Sequence, residues 1–159
     1  MEVRRAARED LVAIGRLAHA ATWESCTGLL KPVTISARLE TDYSPSSLKR
    51  RLLAGRVVVA VDGDGTVVGF ADVDREPERL RVACLSTEPA FRRRGVARTL
   101  LEAIEALFPS MPMFTDILLG NLEGERFCEA AGFVPGEVIQ RRIFGEDVVE
   151  RRWWAPAGQ

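Results

Sequence analysis

The residues best placed to do chemistry form a short basic run, Arg92-Arg93-Arg94-Gly95-Val96-Ala97, between a strand-like segment and a strongly patterned helix. A helix N-terminus presents N–H groups with no intrahelical acceptor and a partial positive charge, the two properties that hold a phosphate. Gly95 removes a side chain where a ligand must approach the backbone, and Ala97 keeps the helix entry small. Arg92, Arg93 and Arg94 add donors for phosphate oxygens. The run has neither the Gly-Lys-Ser/Thr of an ATP-binding loop nor the three-glycine spacing of a dinucleotide loop, so those classes lose their main support. Its plainest alternative is a solvated basic turn that needs a glycine. As a nucleic-acid patch it would join Arg141-Arg142 and Arg151-Arg152, but a net charge of −1 and few interleaved aromatics argue for no nucleic-acid partner.

The elements that must position this loop follow from pattern. Val3 to Ala6 reads as a short strand, and Leu11, Ile14, Leu17, Ala18 and Ala21 recur at helical spacing up to about Trp23. From Glu24 to Tyr43 no element is assigned. Ser44-Pro45 starts a helix, with a capping hydroxyl followed by a proline that gives up no needed donor, and Gly55 stops it. Val57–Val61 and Val67–Val73 flank Asp62-Gly63-Asp64-Gly65 as a β-hairpin, and Leu80–Thr87 is a further strand. After the basic loop come a helix to Phe108, a strand at Met113–Leu119, a short helix from Glu123 to Ala131, and two strands at Val138–Phe144 and Val148–Trp154. This order predicts one α/β (α+β) domain over residues 1–159, a mixed sheet with helices on both faces.

Composition narrows the setting. Three cysteines, Cys26, Cys84 and Cys128, lack metal-ligand spacing, and His19 is the one histidine, so neither a metal site nor a disulfide framework is expected. No run reaches the roughly 18 apolar residues of a membrane span, and the first residues lead into an amphipathic pattern; the expectation is a cytoplasmic protein with no membrane partner.

At the basic loop the chain resembles the GNAT superfamily of N-acetyltransferases. The residues that carry the likeness are Arg92-x-x-Gly95-x-Ala97, the preceding Leu85-Ser86-Thr87-Glu88-Pro89, the later Asn121, and Arg126-Phe127-Cys128-Glu129-Ala130-Ala131-Gly132-Phe133. They occur in the family's order over nearly the whole chain. The resemblance implies the GNAT fold with a mostly antiparallel sheet of six or seven strands, and acetyl-CoA as acyl donor. It implies that the strand ending at Leu85, Ser86 and Thr87 splays from its neighbour and pairs with the pantetheine arm. Backbone N–H groups from Arg93 through Val96 to Ala97 would hold the pyrophosphate, with Arg92, Asn121 and Arg126 as further cofactor contacts. The backbone N–H near Leu85 would face the carbonyl oxyanion.

The family's usual thiolate acid is a tyrosine at the position of Cys128. A thiol, with an ordinary pKa of about 8.5 against about 10 for tyrosine, is acidic enough to donate but shorter. Its other role is that of a small residue packed between helix and sheet. Asp72, Asp74, Glu88 and Asp116 are the carboxylates considered as general base, each also explained as a pairing charge. The resemblance thus implies acetyl transfer to a primary amine of a small molecule or peptide, with an acetyl-CoA-binding regulatory module as the other class. Trp23 and the segment after it stand where the family builds its acceptor wall, and Trp153-Trp154 would make the last strand an edge for a homodimer.

Overall fold

The computed structural model describes residues 1–156. A β-branched, apolar run with no charge becomes the fully buried strand β2 (Val57–Val61), flanked by β1 (Glu2–Arg5) and β3 (Val67–Arg75). Strands β4 (Leu80–Thr87), β5 (Met113–Leu118), β6 (Val134–Ile143) and β7 (Glu146–Trp154) complete a seven-stranded sheet in the order β1-β2-β3-β4-β5-β7-β6. Every neighbouring pair is antiparallel except β4 and β5.

Helices cover both faces. On one face α1 (Leu11–Cys26), α2 (Pro32–Tyr43) and α3 (Pro45–Leu53) bury Ile14, Leu17, Ile35, Leu39, Tyr43 and Leu48 against Val57, Val59 and Phe70. On the other, α4 (Val96–Leu107) and α5 (Leu122–Ala130) bury Val96, Leu100, Ile104 and Cys128 against Val58, Ala71, Val73 and Val82. The alternation of β2 and β3 between the two clusters is the period of two expected of strands buried on both sides.

Several elements extend what the sequence indicates. The first helix runs on to Cys26, and the unassigned stretch contains α2, which opens with Pro32 at its first turn. Strand β6 begins at Val134, with a bulge between Pro135 and Val138. The largest correction concerns the last strand. It is no edge: β7 lies between β5 and β6, and Trp153 is buried under the α4/α5 face. The hairpin is laid down beyond β7 and the returning strand then inserts beside β5, a non-local choice that alternation cannot display. Among the described residues no helix is long and apolar enough to cross a membrane.

Candidate functional site

The parallel pair β4/β5 is joined only at its start, where Leu80 and Arg81 pair with Met113 and Phe114. Beyond Arg81 the two strands separate, while β4 stays paired with β3 through to Thr87. The register with β3 slips between Asp72, opposite Cys84, and Val73, opposite Val82, which leaves Ala83 as an extra residue in β4. A bulge of this kind bends the strand and increases its twist, turning β4 away from β5. The result is a V whose arm from Val82 to Thr87 has no strand partner on its β5 side. Among the described residues, Thr115 Oγ1 donates to the Val82 carbonyl (3.2 Å) and Arg92 Nε approaches the Thr87 carbonyl (3.4 Å). An unpaired strand arm is a template for an extended ligand carrying amide groups.

At the open end of the V the chain makes a single 3-10 turn (Pro89–Phe91) and enters α4 through the basic loop. Arg93 (φ 64°) and Gly95 (φ 79°) both take left-handed backbone, and Gly95 forms the N-cap. No backbone carbonyl among the described residues accepts from the N–H groups of Arg93 through Arg98; the first regular bond is from Thr99 N to the Gly95 carbonyl (3.0 Å). A Cβ added at Gly95 would meet nothing within 4 Å, so the glycine serves the turn and leaves the cradle open. Six consecutive free donors at a helix N-terminus suit a diphosphate.

The arginines of the loop divide by role. Arg92 is held by α1: its two terminal nitrogens bind the Glu24 carboxylate at 2.8 and 2.7 Å, and the pair keeps the Glu24 carboxyl below its usual range. Arg16, also on α1, reaches Glu88 at 2.5 Å. Arg94 stacks over Phe91 (5.3 Å to the ring centre), and neither Arg93 nor Arg94 makes an ion pair among the described residues. Gly69 on β3 lets α4 sit close, since a Cβ there would lie 2.9 Å from the Ser86 carbonyl and 3.1 Å from Val96.

Across the V, Asn121 caps α5 by accepting from Gly124 N (3.1 Å), and Arg126 is exposed on the same helix. Cys128 points the other way, into the core with Val82, Leu100 and Phe133, and burial pushes its thiol up to about 12.

The opposite face of the V, under α2, is lined by charge. The side chain of Asp116 on β5 is fully buried and accepts from Arg152 Nε (2.9 Å) and its terminal nitrogen (3.0 Å), and from Arg141 (2.8 Å). Arg152 also lies over the Phe114 ring, 4.0 Å from its centre. Glu150, equally buried, has Arg141 Nε at 2.8 Å. Between these groups and α2 opens a cleft of about 660 Å³, with Arg38, Asp74, Arg81 and Arg142 on its walls. A second, smaller hollow of about 360 Å³ lies between the α1–α2 connection and Glu146, with Trp23 and Leu29 in its lining. His19 is exposed on α1 and bonds back to the Gly15 carbonyl (2.8 Å).

Asp72 is buried beside the bulge. Arg51 donates to its Oδ2 at 2.7 Å and the Tyr43 hydroxyl at 3.2 Å, while its Oδ1 has no hydrogen-bond partner among the described residues. Burial outweighs the attraction of Arg51 and raises the carboxyl to about 6. The folded state therefore holds a proton that the unfolded chain, with a pKa of about 3.9, has released, so stability is lost as pH rises from about 4 through about 6. Relative to Asp72→Asn, the wild type is expected to lose up to about 3 kcal/mol over this window, at about 1.4 kcal/mol per pKa unit. Urea unfolding across the window checks it; a pH-independent difference between the two proteins would contradict it.

Sequence reasoning placed the basic loop at the start of α4 but missed Tyr43, Arg51, Arg38, Glu150 and the Asp116–Arg152 pairing. For α2 a signal existed: Ile35, Leu39 and Tyr43 follow at intervals of four behind Pro32. For the arginines none did, because they reach the cleft from separate elements.

Residues 54–135 match the Acetyltransferase (GNAT) domain family, and the chain belongs to the GNAT acetyltransferases. No curated protein sequence matches it. Among solved structures, the fold is shared with the PaiA N-acetyltransferase of Thermoplasma acidophilum in complex with coenzyme A (TM-score 0.73, 18% identity, 94% of this chain and 96% of that one). It is shared also with a histone acetyltransferase HPA2 and related acetyltransferase from Corynebacterium glutamicum (TM-score 0.72, 22% identity, 99% and 96%). The yncA protein of Salmonella typhimurium with its cofactor acetyl-CoA is a third (TM-score 0.67, 20% identity, 100% and 96%).

Proposed function

We propose that the protein is an acetyl-CoA-dependent N-acetyltransferase acting on a primary amine. The observation that carries this is the continuity of the unpaired β4 arm with the free N–H cradle at the start of α4. The pantetheine arm lies along Val82–Thr87 as an added strand, and the pyrophosphate sits on the N–H groups of Arg93 to Ala97, with Arg93 and Arg94 as counter-charges. Asn121 and Arg126 face the cofactor from the α5 side. Relatives of this fold crystallised with coenzyme A and acetyl-CoA support the choice of donor.

The thioester then lies at the bulge, with the N–H near Leu85 facing its oxygen, where a fixed dipole stabilises developing negative charge. The amine attacks the carbonyl carbon, the C–N bond forms as the C–S bond breaks, and the thiolate leaves. The amine's proton passes to water in the cleft. Cys128 supplies packing and no proton: its thiol is buried among apolar side chains and raised to about 12. Cys128→Ala is expected to keep at least about a tenth of wild-type turnover, a loss of no more than about 1.4 kcal/mol in the barrier. A larger fall with acetyl-CoA affinity intact would make the thiol catalytic.

Release of free coenzyme A thiol, followed over a broad panel of amines beside acetyl-CoA titration calorimetry, tests the function. Amine-dependent release is expected. Binding with no release across the panel would favour a regulatory module.

A further inference from the structure

The cleft on the α2 side of the V reaches β4 at Arg81, two residues before the bulge, while the other side of the sheet is covered by α4 and α5. Most of its wall charges are already matched. Arg79 holds Glu76 (2.6 Å), Arg81 holds Asp74 (3.2 Å), Arg141 and Arg152 share the buried Asp116 carboxylate, and Arg141 also lies against Glu150 (2.8 Å). Arg142 pairs with Asp147 in an arrangement mostly open to water. Arg38 differs: it is half-buried on α2, lines the cleft, and makes no hydrogen bond or ion pair among the described residues. Holding a guanidinium partly out of water with no anion is unfavourable, so the site is set to accept one. Asp42, one turn further along α2 on the same wall, lies nearest Arg51 (3.7 Å) and forms no ion pair with Arg38. Its charge is also felt at the bulge, where it opposes the upward push of burial and Asp72 on the Cys84 thiol.

We propose that the acceptor is a small amine that carries a carboxylate, and that Arg38 docks this carboxylate while the amino group points to the β4 bulge. The inference rests on the acetyltransferase reading above and adds the substrate class. A neutral or polycationic amine would leave Arg38 unmatched and would face the repulsion of the wall arginines. The exposed Phe144 at the β6–β7 turn also lines the cleft, which suits an acceptor with an apolar side chain.

The test compares amino acids with their amides, leucine against leucinamide, as acceptors for wild type, Arg38→Met and Arg38→Lys. The wild type is expected to prefer leucine in kcat/KM by at least about tenfold, the size of one charge-assisted contact. Arg38→Met should raise KM for leucine by a similar factor and leave leucinamide unchanged, and Arg38→Lys should restore part of the preference. Equal use of acid and amide by the wild type, or a preference that survives Arg38→Met, would overturn the assignment. Binding of N-acetylleucine and N-acetylleucinamide by calorimetry gives a readout that needs no turnover. If no amine releases thiol, the acetyltransferase reading fails on its own, and an Arg38-dependent preference for the acid in this arm still upholds the carboxylate site.

Discussion

Acetyl-CoA affinity is expected to fall at least about 100-fold in Gly95→Asp, about 2.7 kcal/mol of binding free energy. Gly95 is the N-cap of α4, at φ 79°, with open space where a Cβ would stand. An aspartate there would place its carboxylate in open space beside the N–H groups proposed to hold the pyrophosphate. The substitution thus sets a negative charge in the proposed diphosphate site. Like charges about 4 Å apart near a protein surface repel by roughly 4 kcal/mol. The left-handed backbone costs an aspartate about 1 kcal/mol, small enough that the fold should survive. Gly95→Asn keeps the shape without the charge and should lose far less affinity. Calorimetry on the two variants, with thermal melts to show that both are folded, checks the expectation; equal losses would mean that the loop works through its conformation and not through its free donors.

Asp116→Ala is expected to destabilise the fold by about 3–5 kcal/mol, the usual consequence of removing one partner from a buried ion pair. The carboxylate is fully buried, and Arg152, only 8% exposed at its side chain, reaches it through two nitrogens while Arg141 binds it from β6. Without it these guanidiniums stay under the sheet face with Glu150 as the remaining buried anion. For a domain of this size the melting temperature should drop by about 10 °C or more. Asp116→Asn, which still accepts hydrogen bonds, should fall in between. A change below about 1 kcal/mol in Asp116→Ala would show that the arginines swing out to water, and that the floor of the cleft is not fixed by this carboxylate.

The cradle was legible in the sequence because its determinants are local. A glycine that must take positive φ, a small residue after it, and an amphipathic helix to follow all lie within a few positions. The capped start of α3 and the β2–β3 hairpin were legible for the same reason. The splay of β4 from β5 was expected only through the resemblance to a family, since its causes are a bulge at Ala83 and a pairing register, and neither leaves a mark in alternation. The last strand shows the same limit. That β7 enters between β5 and β6 is decided by which edge is free when the hairpin docks, and Trp153-Trp154 gave the opposite impression. The cleft was beyond sequence reasoning altogether, because Arg38, Arg81, Arg141 and Arg152 converge only once the strand order is known. The helix that carries Arg38 lay in the stretch left unassigned, although its apolar residues recur every fourth position.

The central claim is that one continuous surface, the unpaired arm of β4 and the N-terminus of α4, holds acetyl-CoA. Titration of coenzyme A into the isotope-labelled protein, followed by backbone amide NMR, tests it most directly. The amides of Val82–Thr87 and of Arg93–Arg98 are expected to shift together, as one saturable set, while those of β1 and β2 stay in place. Binding that perturbs amides elsewhere and leaves both of these segments untouched would contradict it.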